Sequence, residues 1–433
     1  METPWKRNFY VLWTTQLVAI AGFQAIQPFL PYYIQEFDVA DLDEALIWSG
    51  HMGTASGLAM AVSAPLWGIL ADRFGRRAMV VRAMLGGGAA VAVMAYVQSL
   101  EQLLLARVLQ GALAGTVAAT ITLVSTTTPP QHLGYALGLM QGAVLVGNSI
   151  GPLFGGPLIE RYGYQNCFLV SGLLVFLAGL AVRLWVREDF QRPVAARASG
   201  AAPCGFWQDA ARLLRLRPYL LMLVSLTLIQ FTFSLLMPVV PLFLQRLANT
   251  DNIVSLAGLV FSVQGLVGAA SSAVLGRLSD RLGVKVALLG GLASTAFIVG
   301  LQGLATTVTF LVVLRVLNGI STGAINPVAN ALIARIVPAQ DRGKAFGLLT
   351  SATACGWAMG PIIGAHLGAQ FGFRSVFFVS AVLFLLLSGW VWSALGQIPL
   401  PHPPSGVQPW RQALRGELRR RLQALRARGG PSI

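Results

Sequence analysis

The stretch GILADRFGRR, residues 68–77, sets Asp72, Arg73, Arg76 and Arg77 within six positions. GRLSDRLGVK at 276–285 repeats its glycines, leucine, aspartate and arginine 208 positions later. A carboxylate at a helix boundary can accept hydrogen bonds from a neighbouring helix N-terminus and pair with arginine. Asp72, Arg73, Gly75 and Arg76, with Asp280 and Arg281 in the second copy, therefore have the makings of a gate latch that opens and closes. Gly68 and Gly75 permit close approach and a tight turn. Charge that merely fixes membrane orientation would account for the arginines but not for an aspartate placed twice, although the second copy has Val284 where the first has Arg76.

A second group lies inside apolar stretches. RVLQGALAG, 107–115, carries Arg107 and Gln110, and Arg315 recurs 208 positions after Arg107. A charge within a membrane span is expensive and marks function by default. An arginine snorkelling to the membrane surface would look the same, since both lie only about two turns into their helices. Arg315, Asn318, Thr322, Asn326 and Asn330 fall within an arc of about 120° on a helix. Gln16, Gln24 and Gln27 fall within about 80° by the same reckoning. These stripes are expected to face a wet substrate cavity lined by Gln24, Gln27, Arg107, Gln110, Arg315, Asn318 and Asn326. Polar contact between helices would leave a similar pattern.

The third group is GNSIGPLFGG, 147–156, in which Gly147, Gly151 and Gly155 stand four apart and Pro152 with Gly156 adds a bend. That spacing puts the glycines on one face, where another helix can approach closely. Groups for covalent chemistry do not converge. His51, His132, His366 and His402 are dispersed, and Cys167, Cys204 and Cys355 lack metal-ligand spacing. The expectation is no enzyme, no cofactor and no metal.

The elements that must position these residues follow from composition. Of 433 residues 55% are hydrophobic and 11% charged, far from the roughly 25% charged usage of soluble domains. Twelve windows are long and apolar enough to span a bilayer as helices: 8–34, 46–70, 78–98, 101–124, 134–159, 164–186, 218–245, 253–278, 284–303, 306–334, 343–368 and 373–395. Of the 31 Lys and Arg, Arg161, Arg246 and Arg374 fall on one face, Arg107 and Arg315 within spans, and all others on the face that holds both termini. Both termini are thus expected to be cytoplasmic. The net charge of +15 reflects this topology, not nucleic-acid binding.

A polar, basic stretch divides the spans six and six. The expected organisation is 1–190 as one six-helix bundle, 191–217 as cytoplasmic linker, 218–395 as a second bundle and 396–433 as a tail. Pro28 and Pro31 match Pro238 and Pro241 at an offset of 210, Arg107 and Gly111 match Arg315 and Gly319 at 208, and Gly151-Pro152 matches Gly360-Pro361 at 209. The halves are a duplication, and an even span count makes them parallel repeats about an axis normal to the membrane. In the tail, Trp410, Leu414, Leu418, Leu422 and Leu425 recur at helical spacing among seven arginines, as in a helix lying on membrane lipid.

These motifs resemble the major facilitator superfamily across all twelve spans, and within it the twelve-span drug:proton antiporters, in the branch of bacterial multidrug exporters that begin with a similar WKRN segment. The family's loop signature is met by Gly68, Leu70, Asp72, Arg73, Gly75, Arg76 and Arg77. Its span-4 signature is met by Arg107, Gln110, Gly111 and Gly115, and its span-5 antiporter signature by Gly147, Gly151, Pro152, Gly155 and Gly156. The resemblance implies two six-helix bundles related by a pseudo-twofold axis, rocking about a central site. It further implies a monomer in the bacterial inner membrane that exports small amphipathic compounds in exchange for protons. A dedicated metabolite or lipid exporter on the same scaffold is the alternative. One departure stands out: many relatives carry an acidic residue within the spans, and here all 16 acids fall in loops or at span edges.

Overall fold

The computed structural model describes residues 4–39, 41–188, 211–248, 250, 252–323, 325–337 and 341–396. Most of the linker (189–210) and the expected surface helix of the tail (397–433) lie outside the described residues. Apolar stretches become helices because a helix satisfies its own backbone groups where no water can. Among the described residues, ten helical stretches are long and apolar enough to cross a membrane. One of them, Leu133–Trp185, turns back at Gly163 (φ 81, ψ 166) and makes two spans. The shorter apolar helix Val308–Gly323 is continued by Ile325–Ile336 and makes another. The chain is therefore an all-α membrane protein with the twelve expected spans.

In order, span 1 is Pro4–Gln24 with Leu30–Ile34, span 2 Leu42–Phe74, span 3 Arg76–Val93, and span 4 Leu100–Leu113 with Thr116–Thr127. Spans 5 and 6 flank Gly163. Span 7 is Arg217–Leu235 with Val239–Leu247, span 8 Ile253–Leu282, span 9 Val284–Gly303, and span 10 Val308–Gly323 with Ile325–Ile336. Span 11 is Arg342–Phe371 and span 12 Phe373–Gly396. Spans 1, 4, 7 and 10 are the interrupted ones. They include all three that carry the polar stripes and buried arginines, in keeping with interrupted helices lining sites in transporters.

Successive spans join without loops at Gly75 (φ 91), Gly163, Gly283 (φ 93) and Gly372 (φ 82), a left-handed region that side chains disfavour. Gly75 and Gly283 occupy matching places in the two copies of the charged motif, so the same turn is built twice. Packing repeats as well. Gly111 lets span 4 lie against the Ser56 carbonyl of span 2, and Gly319 lets span 10 lie against the Gln264 carbonyl of span 8. Ser56 and Gln264 are themselves 208 positions apart. Large apolar side chains such as Ile69, Leu184 and Leu386 are well exposed. On a membrane protein these form the lipid-facing belt.

Candidate functional site

Among the described residues the two halves meet along one end. We call the face where span 1 begins and span 12 ends the terminal face, and the opposite one the far face. Near the far face, Gly50 and Gly57 of span 2 admit Pro361 and Ala358 of span 11, while Gly258 and Gly265 of span 8 admit Pro152 and Ser149 of span 5. The second set is the first displaced by one repeat. Gln35 and Gln245, one repeat apart, exchange two side-chain hydrogen bonds of 3.0 and 2.9 Å. A pair of equivalent residues that bond reciprocally straddles the pseudo-twofold axis.

Further bonds close this seam. The Tyr32 hydroxyl donates to the Pro241 carbonyl at 2.7 Å, and the Ile362 N–H donates to Thr54 Oγ1 at 3.1 Å. The His51 and His366 rings, from spans 2 and 11, meet edge to face with centroids 5.5 Å apart. Glu160, at the far end of span 5, accepts from the Ser255 N–H at 2.8 Å and from the Ser255 hydroxyl. It thereby caps the first turn of span 8 in the opposite half, where the helix dipole favours a carboxylate. At the terminal end the matched glycines Gly138 and Gly347, of spans 5 and 11, have nothing within 4 Å of where a Cβ would stand. The seam is shut at the far face and parted at the terminal face.

Arg107 and Arg315 occupy equivalent places above this parted region. Both are buried, and the Nε of each has no partner among the described residues. Arg107 Nη1 donates to Gln110 Oε1 one turn along the helix. Arg315 lies with its guanidinium 5.6 Å from the Phe261 ring centroid, a cation–π distance. Near it Asn318 Oδ1 and Gln264 Oε1 are buried without partners among the described residues. Sequence reasoning names Arg315 and Asn318 as candidates and does not name Phe261 and Gln264, which the structure sets beside them. Their only signal is that span 8 equals span 2 displaced by one repeat, so whatever faces span 4 has a counterpart facing span 10. The interruption after Gly323 means that the 315–330 stripe is not one continuous face. The Asn326 side chain lies outside the described residues.

Gln24 donates to Asn148 Oδ1 at 2.8 Å, tying span 1 to span 5, and Gln27 sits half-buried in the turn that interrupts span 1. Asn148 stands inside the glycine motif, whose residues face two ways. Cβ atoms at Gly147 and Gly151 would lie 2.9 Å from Ile20 Cβ and 2.6 Å from the Ala21 carbonyl, and one at Gly155 would overlap the Ala25 carbonyl, all on span 1. Gly156 instead faces the backbone of Val254 and Ser255 on span 8, and the Pro152 carbonyl faces Gly258. One turn of motif thus serves both a fixed contact within a half and a contact between halves.

At the terminal face, the side chains of Asp72, Asp280 and Arg281 lie outside the described residues. Arg73 is exposed, 5.5 Å from the Phe74 ring centroid. The carboxylate that caps span 3 is Glu188, from the end of span 6, which accepts from the N–H groups of Arg76 at 3.0 Å and Arg77 at 2.7 Å. The sorting of Lys and Arg by face puts Arg82 at the terminal surface. It sits in the second turn of span 3, half-buried, 3.7 Å from the Trp67 ring centroid, and donates to the Leu113 carbonyl at 2.9 Å. Trp67 Nε1 donates to the Ala112 carbonyl at 2.7 Å. Together they satisfy the orphaned carbonyls where span 4 is interrupted before Gly115 (φ 109). The window 78–98 contains Arg82, and sorting it to the terminal face weighed its charge without the exposed helix end that it meets.

Glu188→Ala is expected to leave two N-terminal N–H groups of span 3 without their charged acceptor, lowering stability by about 1–2 kcal/mol. Thermal unfolding of the purified protein reads this directly, and an unchanged midpoint would show that water replaces the carboxylate at no cost.

The model of the Major Facilitator Superfamily matches residues 12–250 and 228–429. Multidrug resistance protein MdtG of Rahnella sp. (strain Y9602) is 32% identical over 396 residues, 91% of this chain and 95% of that protein. MdtG of Yersinia enterocolitica is 31% identical over 407 residues, covering 93% and 97%. Among solved structures, a bacterial homolog of the human lysosomal transporter Spinster, inward-facing and occupied, superposes with a TM-score of 0.74 at 16% identity over 92% of this chain and 98% of that one. The nucleoside transporter NupG gives 0.73 at 15% identity over 89% and 99%.

Proposed function

This chain belongs to the major facilitator superfamily, and from that premise we propose that it exports small amphipathic compounds from a bacterial cell by alternating access, in exchange for protons. It is a transporter, not an enzyme. The observation that carries the reading is the pseudo-symmetric seam, shut at one face and parted at the other, with two buried arginines between. The positive-inside distribution of Lys and Arg supports a cytoplasmic terminal face in the inner membrane, so this conformation is open to the cytoplasm, ready to load a substrate for export. The relatives named for multidrug resistance support drugs as the substrate class. The latch of Asp72, Arg73, Gly75 and Arg76, with Asp280 and Arg281, would close the terminal face when the seam at the far face opens.

For the proton link we assign the titratable groups of the seam. Protonating Glu160 removes the charge that caps span 8, and protonating both His51 and His366 sets like charges side by side. Either loosens the far face, so acid outside favours the outward-open state. Glu160→Ala is expected to raise the outward-open population. Spin labels on the far ends of spans 5 and 8 should show a longer distance at neutral pH, and an unaltered distance distribution would remove Glu160 from the gate. The reading as a whole is tested by dye and antibiotic accumulation in cells with and without the protein, with and without an uncoupler. Equal accumulation in both cell types would refute export. Efflux that survives the uncoupler would refute proton exchange.

A further inference from the structure

Between spans 3 and 6 at the terminal face lies a cleft of about 580 Å³, lined by Phe74, Val81, Glu188 and three arginines, Arg77, Arg82 and Arg183. We infer that this cleft binds the phosphate headgroup of an anionic phospholipid. Among the described residues three arginines and one carboxylate line the cleft, the Arg82 guanidinium resting on Trp67 at its inner side. Three positive charges against one negative leave this lining an excess of positive charge, and both oxygens of Glu188 are engaged by the backbone N–H groups of Arg76 and Arg77 rather than by a guanidinium. Like charges sharing one partly enclosed space repel, and a bound anion relieves that repulsion.

The arginines are held in place rather than dispersed in water. Arg82 is fixed by the Trp67 ring and by the Leu113 carbonyl, and its Nε is buried without a partner. The Arg77 guanidinium donates to the Arg183 carbonyl across the cleft. Arg82 follows Arg77 by five residues, about 7.5 Å further into the membrane, so the positive charge extends below the water boundary to the depth of lipid phosphates. Basic recesses between spans on the cytoplasmic side suit anionic headgroups. Exposed Phe74 lines the cleft, and Leu184, next in sequence to the lining residue Arg183, is exposed on span 6, where acyl chains would lie. The cleft belongs to one half alone and avoids the seam, which distinguishes its occupant from a transported substrate.

The test uses the full chain purified in detergent, stripped of lipid and offered phosphatidylglycerol, phosphatidylcholine or inorganic phosphate, with bound molecules counted by native mass spectrometry. Phosphatidylglycerol should be retained over phosphatidylcholine, and Arg183→Gln should weaken that retention about five-fold, the effect of one interfacial charge. Val81→Trp, which fills the cleft without touching charge, should weaken it also. Equal retention of the two lipids would mean an ordinary apolar annulus and overturn the proposal. So would retention of phosphatidylglycerol undiminished in both variants. Displacement of phosphatidylglycerol by millimolar phosphate would make the site one for free anions and overturn the lipid assignment.

Discussion

Export is expected to fall to background in Gly155→Ala, a change of one methyl group. A Cβ at this position would overlap the Ala25 carbonyl of span 1, and the neighbouring Cα of Ala25 is 2.8 Å away. The obstacle is backbone, which cannot rotate aside as a side chain can. Spans 1 and 5 must therefore separate or tilt, at a cost of about 1–3 kcal/mol or more. The same motif carries Pro152 and Gly156 against span 8, so a tilt of span 5 is passed to the contact between halves. Gly142→Ala, in the same helix with nothing within 4 Å of its Cβ position, should export at the parent rate. The sequence alone suggests that at Gly151 leucine is worse than alanine. The 2.6 Å approach of the Ala21 carbonyl means that alanine is already excluded, so both variants should fail. Efflux per folded molecule decides the matter, and parental efflux in Gly155→Ala would refute the close packing of spans 1 and 5.

The fold was legible because membrane helices and duplication write themselves into the sequence without reference to tertiary contacts. Apolar length reveals spans, and offsets near 208 pair Arg107 with Arg315 and Gly151 with Gly360. The interruptions were less legible. Nothing in the apolar window 101–124 announces that its helix ends at Leu113, because of its two glycines Gly111 stays helical and only Gly115 takes φ 109. Contacts between halves were hidden for a different reason. In one dimension Glu160 falls at a span edge and His51 and His366 are merely dispersed; the docking of span 5 on span 8 brings Glu160 to Ser255, and that of span 2 on span 11 brings the two histidines together. The sequence offers Asp72 as a carboxylate at this helix boundary, and the cap on span 3 comes from Glu188, over 110 positions away. Helix N-termini advertise a need for an anion, and sequence cannot say which distant acid answers.

Arg107→Met is expected to make the protein more stable and less active at once. Arg107 is 4% exposed, bonded to Gln110 of its own helix, with its Nε unpartnered and no carboxylate paired to it among the described residues. An arginine at membrane depth costs about 2.5–3.5 kcal/mol on insertion scales, and a neighbouring glutamine returns only part of that. Methionine keeps the length and apolar stem while removing the charge, so the thermal midpoint should rise. If the guanidinium is held there at a cost in stability, its use must lie in another step of the cycle, where substrate or a moving helix meets it. Low dielectric makes that meeting selective for negative charge. In inverted vesicles under an imposed pH gradient, the parent is expected to prefer neutral or anionic amphiphiles over a permanent cation, and Arg107→Met should lose anion transport by about tenfold, equivalent to about 1.4 kcal/mol, with a smaller loss for a neutral compound. Arg315→Met offers the same comparison in the second half, where the Phe261 ring takes the place of Gln110 as first neighbour. A fall in midpoint with equal losses for all substrates would identify Arg107 as a structural tie between helices. Strong preference of the parent for the cation would mean that a carboxylate, with Glu160 the first to test, enters the path in the outward-open state.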